Sequence, residues 1–403
     1  MTTAVVDVVV AGLGAMGSAI SWRLAERGAR VVGFDRFTPP HGRGSSGGRT
    51  RILREAYSEG PGYVPVVRTA RGEWRRLEAL AGTELFRETG GLLLGSPDGP
   101  LLRGALASAG EHLVPHELFP PSVPARVDAD WARQRGEAGM LEPGAGVLFP
   151  DACIGAALEQ ARTGGAELRF DDPILSWSAT RDEVTVRTGR GTLSAHSLVL
   201  VSGAWLLELL PPGLLPLTVT RQVVAWFTPE ERNRSRAEGL PVFLREDAAG
   251  RILYGLPDVG HGLKAALHHP GRVTTPGQVD RTVTHEEIQE IRNLVRALLP
   301  WDVWEPAGAE VCLYTSTPDG HFTIDCHPDH ANVVLVSACS GHGFKFAPAI
   351  GGLVSDALER GPDRGIPSDF RLTRSRPSDA EGGVFRPPPA GAPLRSPPDE
   401  KGW

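Results

Sequence analysis

The opening of the chain constrains it most. Residues 7–10 read D-V-V-V, an apolar β-branched run suited to a buried parallel strand. The turn Gly12-Leu13-Gly14-Ala15-Met16-Gly17 follows. Residues 18–27 then carry Ala19, Ile20, Leu24 and Ala25 at helical spacing, with Gly28 as a stop. A second predicted strand, residues 29–34, ends at Asp35-Arg36. Strand, G-x-G-x-x-G, helix, strand and acid together form the dinucleotide-binding fingerprint in its required context. Gly12 permits the tight turn, Gly14 lets the backbone approach a pyrophosphate, and Gly17 lets the helix pack on the sheet. The helix N-terminus offers unpaired N–H groups and a partial positive charge to phosphates. Asp35 can accept both ribose hydroxyls and would repel a 2′-phosphate. The motif alone does not choose between FAD and NAD.

A chain of 403 residues exceeds what one hydrophobic core usually serves, so two domains are expected. A net charge of −6 gives no reason to expect nucleic acid or an anionic membrane as partner. No apolar run approaches the roughly 20 residues that cross a bilayer. The apolar start lacks a basic leader and runs directly into the fingerprint, so it reads as a strand and not a signal peptide. Four cysteines, Cys153, Cys312, Cys326 and Cys339, suit a reducing, cytoplasmic setting. They lack metal-ligand spacing, and no metal is expected.

Residues 37–51 form a loop rich in Gly and Pro beside the dinucleotide turn. Residues 50–54 are expected to be helical, which would set Arg51 and Arg54 on one face, either to meet an anion or as a solvated basic face. Further helices are predicted at 63–80, 154–164, 286–299 and 347–360. Buried strands at 197–201 and 333–337 return to the first sheet. Residues 216–227, 241–244, 252–255, 262–268 and 310–315 have antiparallel character. Ser340-Gly341-His342-Gly343 places a second glycine turn before a helix, another anion site. The expected fold is α/β with two domains: a Rossmann-like dinucleotide-binding domain and an interleaved antiparallel-sheet substrate domain. The first would take residues 1–80, 145–215 and 316–376, and the second 81–144 and 216–315. The Pro-rich stretch 377–403 is expected to be disordered.

The blocks VVVAGLGAMG, PPHGRGSS, TRILREAYSEGPGYVP, EPGAGVLFPDACI, VSGAW, VTRQVV, GLKAALHH, EVCLYTSTPDGHFTIDCHP and SGHGFKF carry a family resemblance over about residues 7–376. The chain resembles the monomeric sarcosine oxidase family of FAD amine oxidases, which includes N-methyltryptophan oxidase. The resemblance implies FAD, not NAD, joined through Cys312 to the flavin 8α-methyl as a thioether. It implies that Arg54 and Lys345 hold the substrate carboxylate, a planar fork and a point charge respectively. Lys264 matches the lysine that activates oxygen, and Arg51 a cation near the flavin face. His268 and Tyr314 match residues that set substrate position, with His269 adjoining the first, and Tyr254 matches another pocket tyrosine. Expected cofactor contacts include Gly12, Gly14, Met16, Gly17, Asp35 and Arg36. They extend to Ser45, Arg49 and Thr50, and to Gly341, Gly343, Phe344 and Lys345.

Departures are visible: Ser46 and Gly47 stand where histidines are common, Arg49 where the type member has an acid, and residues 245–251 also differ. The implied reaction is oxidation of a secondary amine of an amino acid. A hydride passes to flavin N5, the imine hydrolyses, and O2 becomes H2O2. Sarcosine leads as substrate, followed by larger N-methyl amino acids and cyclic imino acids such as proline or pipecolate, with a tailoring amine oxidase of secondary metabolism as a further alternative. A dehydrogenase and a flavoprotein scaffold without turnover are the rival readings. The expected partners are the small-molecule amine and O2, with the protein a monomer.

Overall fold

Strand Val6–Ala11 lies inside a sheet of eight strands, and its last four residues are buried. It pairs in parallel with Val31–Phe34 on one side and with Gly191–Leu200 on the other. Glu167–Arg169 extends the sheet beyond Val31–Phe34, and His330–Ser337 extends it beyond Gly191–Leu200, both in parallel. Thr323–His327 and the hairpin Ile174–Ala179/Val184–Thr188 add antiparallel strands. Buried on both faces, the central strands are the near-continuous Val and Leu runs of the sequence. Helices Ala15–Glu26, Pro150–Thr163 and Ala347–Arg360 pack together over one face. The computed structural model describes residues 6–121, 131, 136–268, 271–361 and 365–374. The predicted tail 377–403 lies outside the described residues, as does His269.

The second sheet has nine strands, drawn from residues 91–142 and 218–316. Its centre is antiparallel: Thr218–Thr228 lies between Glu305–Ser316 on one side and Leu263–His268 with Arg272–Val273 on the other. Ile252–Leu256 and Val242–Glu246 follow, and Gly91–Gly95 joins the latter in parallel. Alternation decides the two faces. Ala225, Phe227, Leu253, Leu263 and Ala265 pack with Ile291, Val295 and Leu298 of helix His285–Leu298. The alternate residues, including Lys264, His268, Tyr254, Cys312 and Tyr314, line the cleft.

One expectation about local structure fails. Residues 50–54 are not helical; Arg51–Leu53 is a strand paired with Gly146–Leu148 in a sheet of three. The pairing partner is distant in sequence, and tertiary contact overrides local propensity. Arg51 and Arg54 therefore share no helix face. Arg54 follows directly after the strand, and both line the cleft. Nor is the pair a solvated basic face, since Arg54 is only 4% exposed.

Candidate active site

One deep cleft runs from the fingerprint to the large antiparallel sheet. At its first end the chain requires glycine. Gly12 has φ +106°, and a Cβ there would meet Ser202 Cα at 2.7 Å. A Cβ on Gly17 would fall 1.7 Å from the Gly12 carbonyl oxygen. Gly17 therefore serves close packing and does not line the cleft, whereas Gly12, Gly14 and Met16 do. Helix Ala15–Glu26 begins here with no side-chain cap. The Ala15 N–H donates weakly to Ser46 Oγ, at 3.4 Å.

Asp35 is buried and accepts from the Leu13 N–H at 2.7 Å and the Phe37 N–H at 2.9 Å. A carboxylate has about four acceptor positions, so capacity remains toward the cleft. Arg36 lines this end and pairs with Glu208 at 2.6 Å. Three buried hydroxyls that line the cleft, Thr50 Oγ1, Ser202 Oγ and Thr315 Oγ1, have no partner. The glycine cradle, the helix N-terminus without a side-chain cap and the acceptor capacity of Asp35 fit a dinucleotide cofactor.

Toward the other end, Lys264 is buried. Its Nζ donates to the Gly48 and Thr50 carbonyls at 2.7 and 2.8 Å. An ammonium has three donors, so one remains for the cleft. Burial and then the Arg51 cation push Lys264 well below the ordinary lysine range. Arg51 donates to the Ser45 and Thr50 carbonyls at 2.6 and 2.8 Å, tying the loop around Ser45 to the strand. Burial pushes the Cys312 thiol up, while Arg51 and Lys264 pull it the other way. It is a free thiol, 6% exposed. Tyr314 OH lies 3.4 Å from His268 Nδ1. Burial raises both cleft tyrosines, Tyr254 to about 12 and Tyr314 well above its ordinary value, so both stay neutral.

Arg54 donates to the Ala56 carbonyl and to Ser58 Oγ, and pairs with Glu59 at 3.1 Å. Burial disfavours ionised Glu59, yet the Arg54 cation, with Lys345, holds its carboxyl below the usual range. Lys345 donates to the His342 carbonyl at 2.7 Å and contacts Tyr57 OH at 3.3 Å. Tyr57 OH is 2.6 Å from His342 Nδ1, whose Nε2 is 3.1 Å from the Gly320 carbonyl. A carbonyl only accepts, so Nε2 carries the proton and Nδ1 accepts from Tyr57. The hydrogen bonds therefore run Lys345 to Tyr57 to His342. Trp74 fixes Lys345 from below: its Nε1–H donates to the Lys345 carbonyl at 2.8 Å, and its ring stacks on Phe344.

Of the expected contacts, Ser45, Thr50, Gly341, Gly343, Phe344 and Lys345 line the cleft. Arg49 does not. It is exposed, lies 4.8 Å over the Trp226 ring, and faces Glu310 at 3.6 Å. Sequence reasoning overlooked Tyr57, Ser58, Glu59 and His342 as site residues. Their signal was adjacency, since they sit inside the REAYSEG and SGHGFKF blocks that supply Arg54 and Lys345.

A nucleotide cradle joined to a thiol, two lysines and two arginines defines a dinucleotide-dependent oxidoreductase with an anion-binding substrate end. Comparison with known proteins agrees. The chain belongs to the FAD dependent oxidoreductase family, which matches residues 7–357. It is 39% identical to the monomeric sarcosine oxidase of Streptomyces avermitilis, over 87% of this chain and 92% of that protein. It is 32% identical to the N-methyl-L-tryptophan oxidase of Yersinia pestis, over 92% and 99% respectively. The fold also matches NikD, an unusual amino acid oxidase essential for nikkomycin biosynthesis. There the TM-score is 0.77 at 23% identity, covering 89% of this chain and 95% of that one.

Proposed function

We propose that the protein is an FAD-dependent oxidase of a secondary amine borne by an amino acid, with sarcosine as the leading substrate. The observation that carries this reading is the joining of a buried Arg54–Lys345 pair to a nucleotide cradle within one cleft. When bound, FAD would accept a hydride equivalent from the amine carbon and pass two electrons to O2, giving H2O2. The chain's own residues do the rest. Arg54 and Lys345 orient the carboxylate. Neutral Tyr254 and Tyr314, with His268, fix the amine end. Lys264 places positive charge where oxygen becomes negative. The named relatives, which act on sarcosine and N-methyl-L-tryptophan, support the substrate class.

We assign Cys312 as the thioether attachment. Support comes from a buried free thiol that lines the cleft beside Arg51 and Lys264. Cys312→Ser should yield protein whose yellow colour is released by acid, whereas wild type should keep it on the polypeptide; colour retained by the variant would contradict the assignment. We divide the chain into a cofactor unit (1–80, 145–215, 316–376) and a substrate unit (81–144, 216–315). The separate strand membership of the two large sheets supports this, although Phe86–Glu88 crosses the line to pair with Gly146–Leu148. The protein is read as a cytoplasmic monomer, in keeping with four free cysteines.

The direct test is an oxygen electrode with a peroxide assay. Sarcosine should consume oxygen and form peroxide, while dimethylamine, which lacks the carboxylate, should not. Turnover only with an artificial electron acceptor would favour a dehydrogenase. A second expectation concerns pH. Burial and then Arg54 push Lys345 down to about 7, against the pull of Glu59. Its charge is present below that value and lost above it. Binding of methoxyacetate, a substrate-shaped carboxylate with no titrating amine, should therefore be flat below about pH 6 and weaken about tenfold by about pH 9. A titration followed by the visible spectrum checks this. Binding independent of pH would remove Lys345 from the clamp.

A further inference from the structure

Glu142 ends strand Ala138–Glu142 of the large antiparallel sheet and is only 2% exposed. Arg54 forms its ion pair with Glu59 and not with Glu142. The two Glu142 carboxylate oxygens instead accept from the two amides that follow Arg54: the Glu55 N–H at 2.7 Å and the Ala56 N–H at 2.9 Å. Burial pushes this carboxyl up, against the pull of those amides and of Arg54. Ala56 is held at both ends, its N–H by Glu142 and its carbonyl by Arg54. Ser108 of helix Pro100–His112 donates to the next carbonyl, that of Tyr57, at 2.6 Å. The segment carrying Arg54 is thus anchored by residues from a distant part of the chain, and each of the two amides has its own acceptor oxygen on Glu142. Glutamine would accept from one amide and present its own N–H to the other.

We propose that Glu142 is the positioning residue of the carboxylate clamp, setting Arg54 against the cleft by fixing the backbone that follows it. The inference rests on reading Arg54 as the carboxylate anchor. Glu142 acts through Arg54, so its loss costs ligand affinity only while Arg54 is present.

The test is a double-mutant cycle on the holoenzyme with methoxyacetate as probe. E142Q should weaken methoxyacetate about tenfold and raise the KM for sarcosine in step. Anaerobic bleaching by saturating sarcosine should stay within about twofold of wild type. In an Arg54→Ala background, adding E142Q should change methoxyacetate binding by less than about twofold. Unchanged binding in the single variant, or a full second loss in the double variant, would overturn the proposal. Hydrogen exchange on the wild type gives an answer even if E142Q fails to fold. The Glu55 and Ala56 amides should be as protected as those of strand Val6–Ala11, and rapid exchange there would also refute it. If the wild type itself ignores methoxyacetate, the functional reading has failed, and the exchange experiment still decides whether Glu142 holds these amides.

Discussion

Replacing Lys264 with methionine is expected to slow reoxidation by O2 about 10²–10³-fold and to leave anaerobic bleaching by the amine within about threefold. The asymmetry follows from the site. Lys264 is buried, two of its three donors are fixed on the Gly48 and Thr50 carbonyls, and the third is left for the cleft. In its protonated form Lys264 is a fixed charge that needs no reorganisation when an electron reaches oxygen, and in a low-dielectric site its effect is large. Methionine fills similar volume without charge. The Gly48 and Thr50 carbonyls keep a donor each, from the Thr50 N–H at 2.7 Å and from Arg51 at 2.8 Å, so the loss of stability should be small beside the kinetic effect. Stopped-flow measurement of the two half-reactions separates these effects. Equal slowing of both would mean that Lys264 only holds the loop around Gly48.

Arg54→Ala should raise the KM for sarcosine about 10²-fold, because truncating one partner of a buried charge pair typically costs 2–5 kcal/mol. Part of that cost falls on the free protein. Glu59 would stay buried without the guanidinium that faces it at 3.1 Å, and its carboxyl would rise toward the usual range. A lower Tm is therefore expected together with the higher KM. Arg54→Lys should recover charge but not the fork, leaving affinity between wild type and Arg54→Ala. A KM unchanged in Arg54→Ala would end the clamp assignment.

The first strand, turn and helix were legible because they are local: apolar runs, helical spacing and glycines fix them within Val6–Glu26. The face of the antiparallel sheet was legible in part, since alternation puts Lys264 and His268 on one side and Cys312 and Tyr314 on another strand's matching side. What brings these strands together is their shared pairing with Thr218–Thr228, which no local pattern reveals. The short strand Arg51–Leu53 was misread for the same reason, as its three residues acquire their form from Gly146–Leu148. Glu142 was visible only as the first letter of a block, because its partners, the Glu55 and Ala56 amides, carry no sequence signal. Arg49 was placed in the cleft by its neighbours in sequence. Its backbone, at φ +63°, turns the side chain out onto Trp226.

The most direct test excludes oxygen. Wild-type protein is mixed anaerobically with sarcosine and its visible absorbance followed, and air is then admitted. The account predicts that the yellow colour disappears and then returns with one equivalent of peroxide. Colour that persists with sarcosine, N-methyltryptophan and proline alike would contradict it.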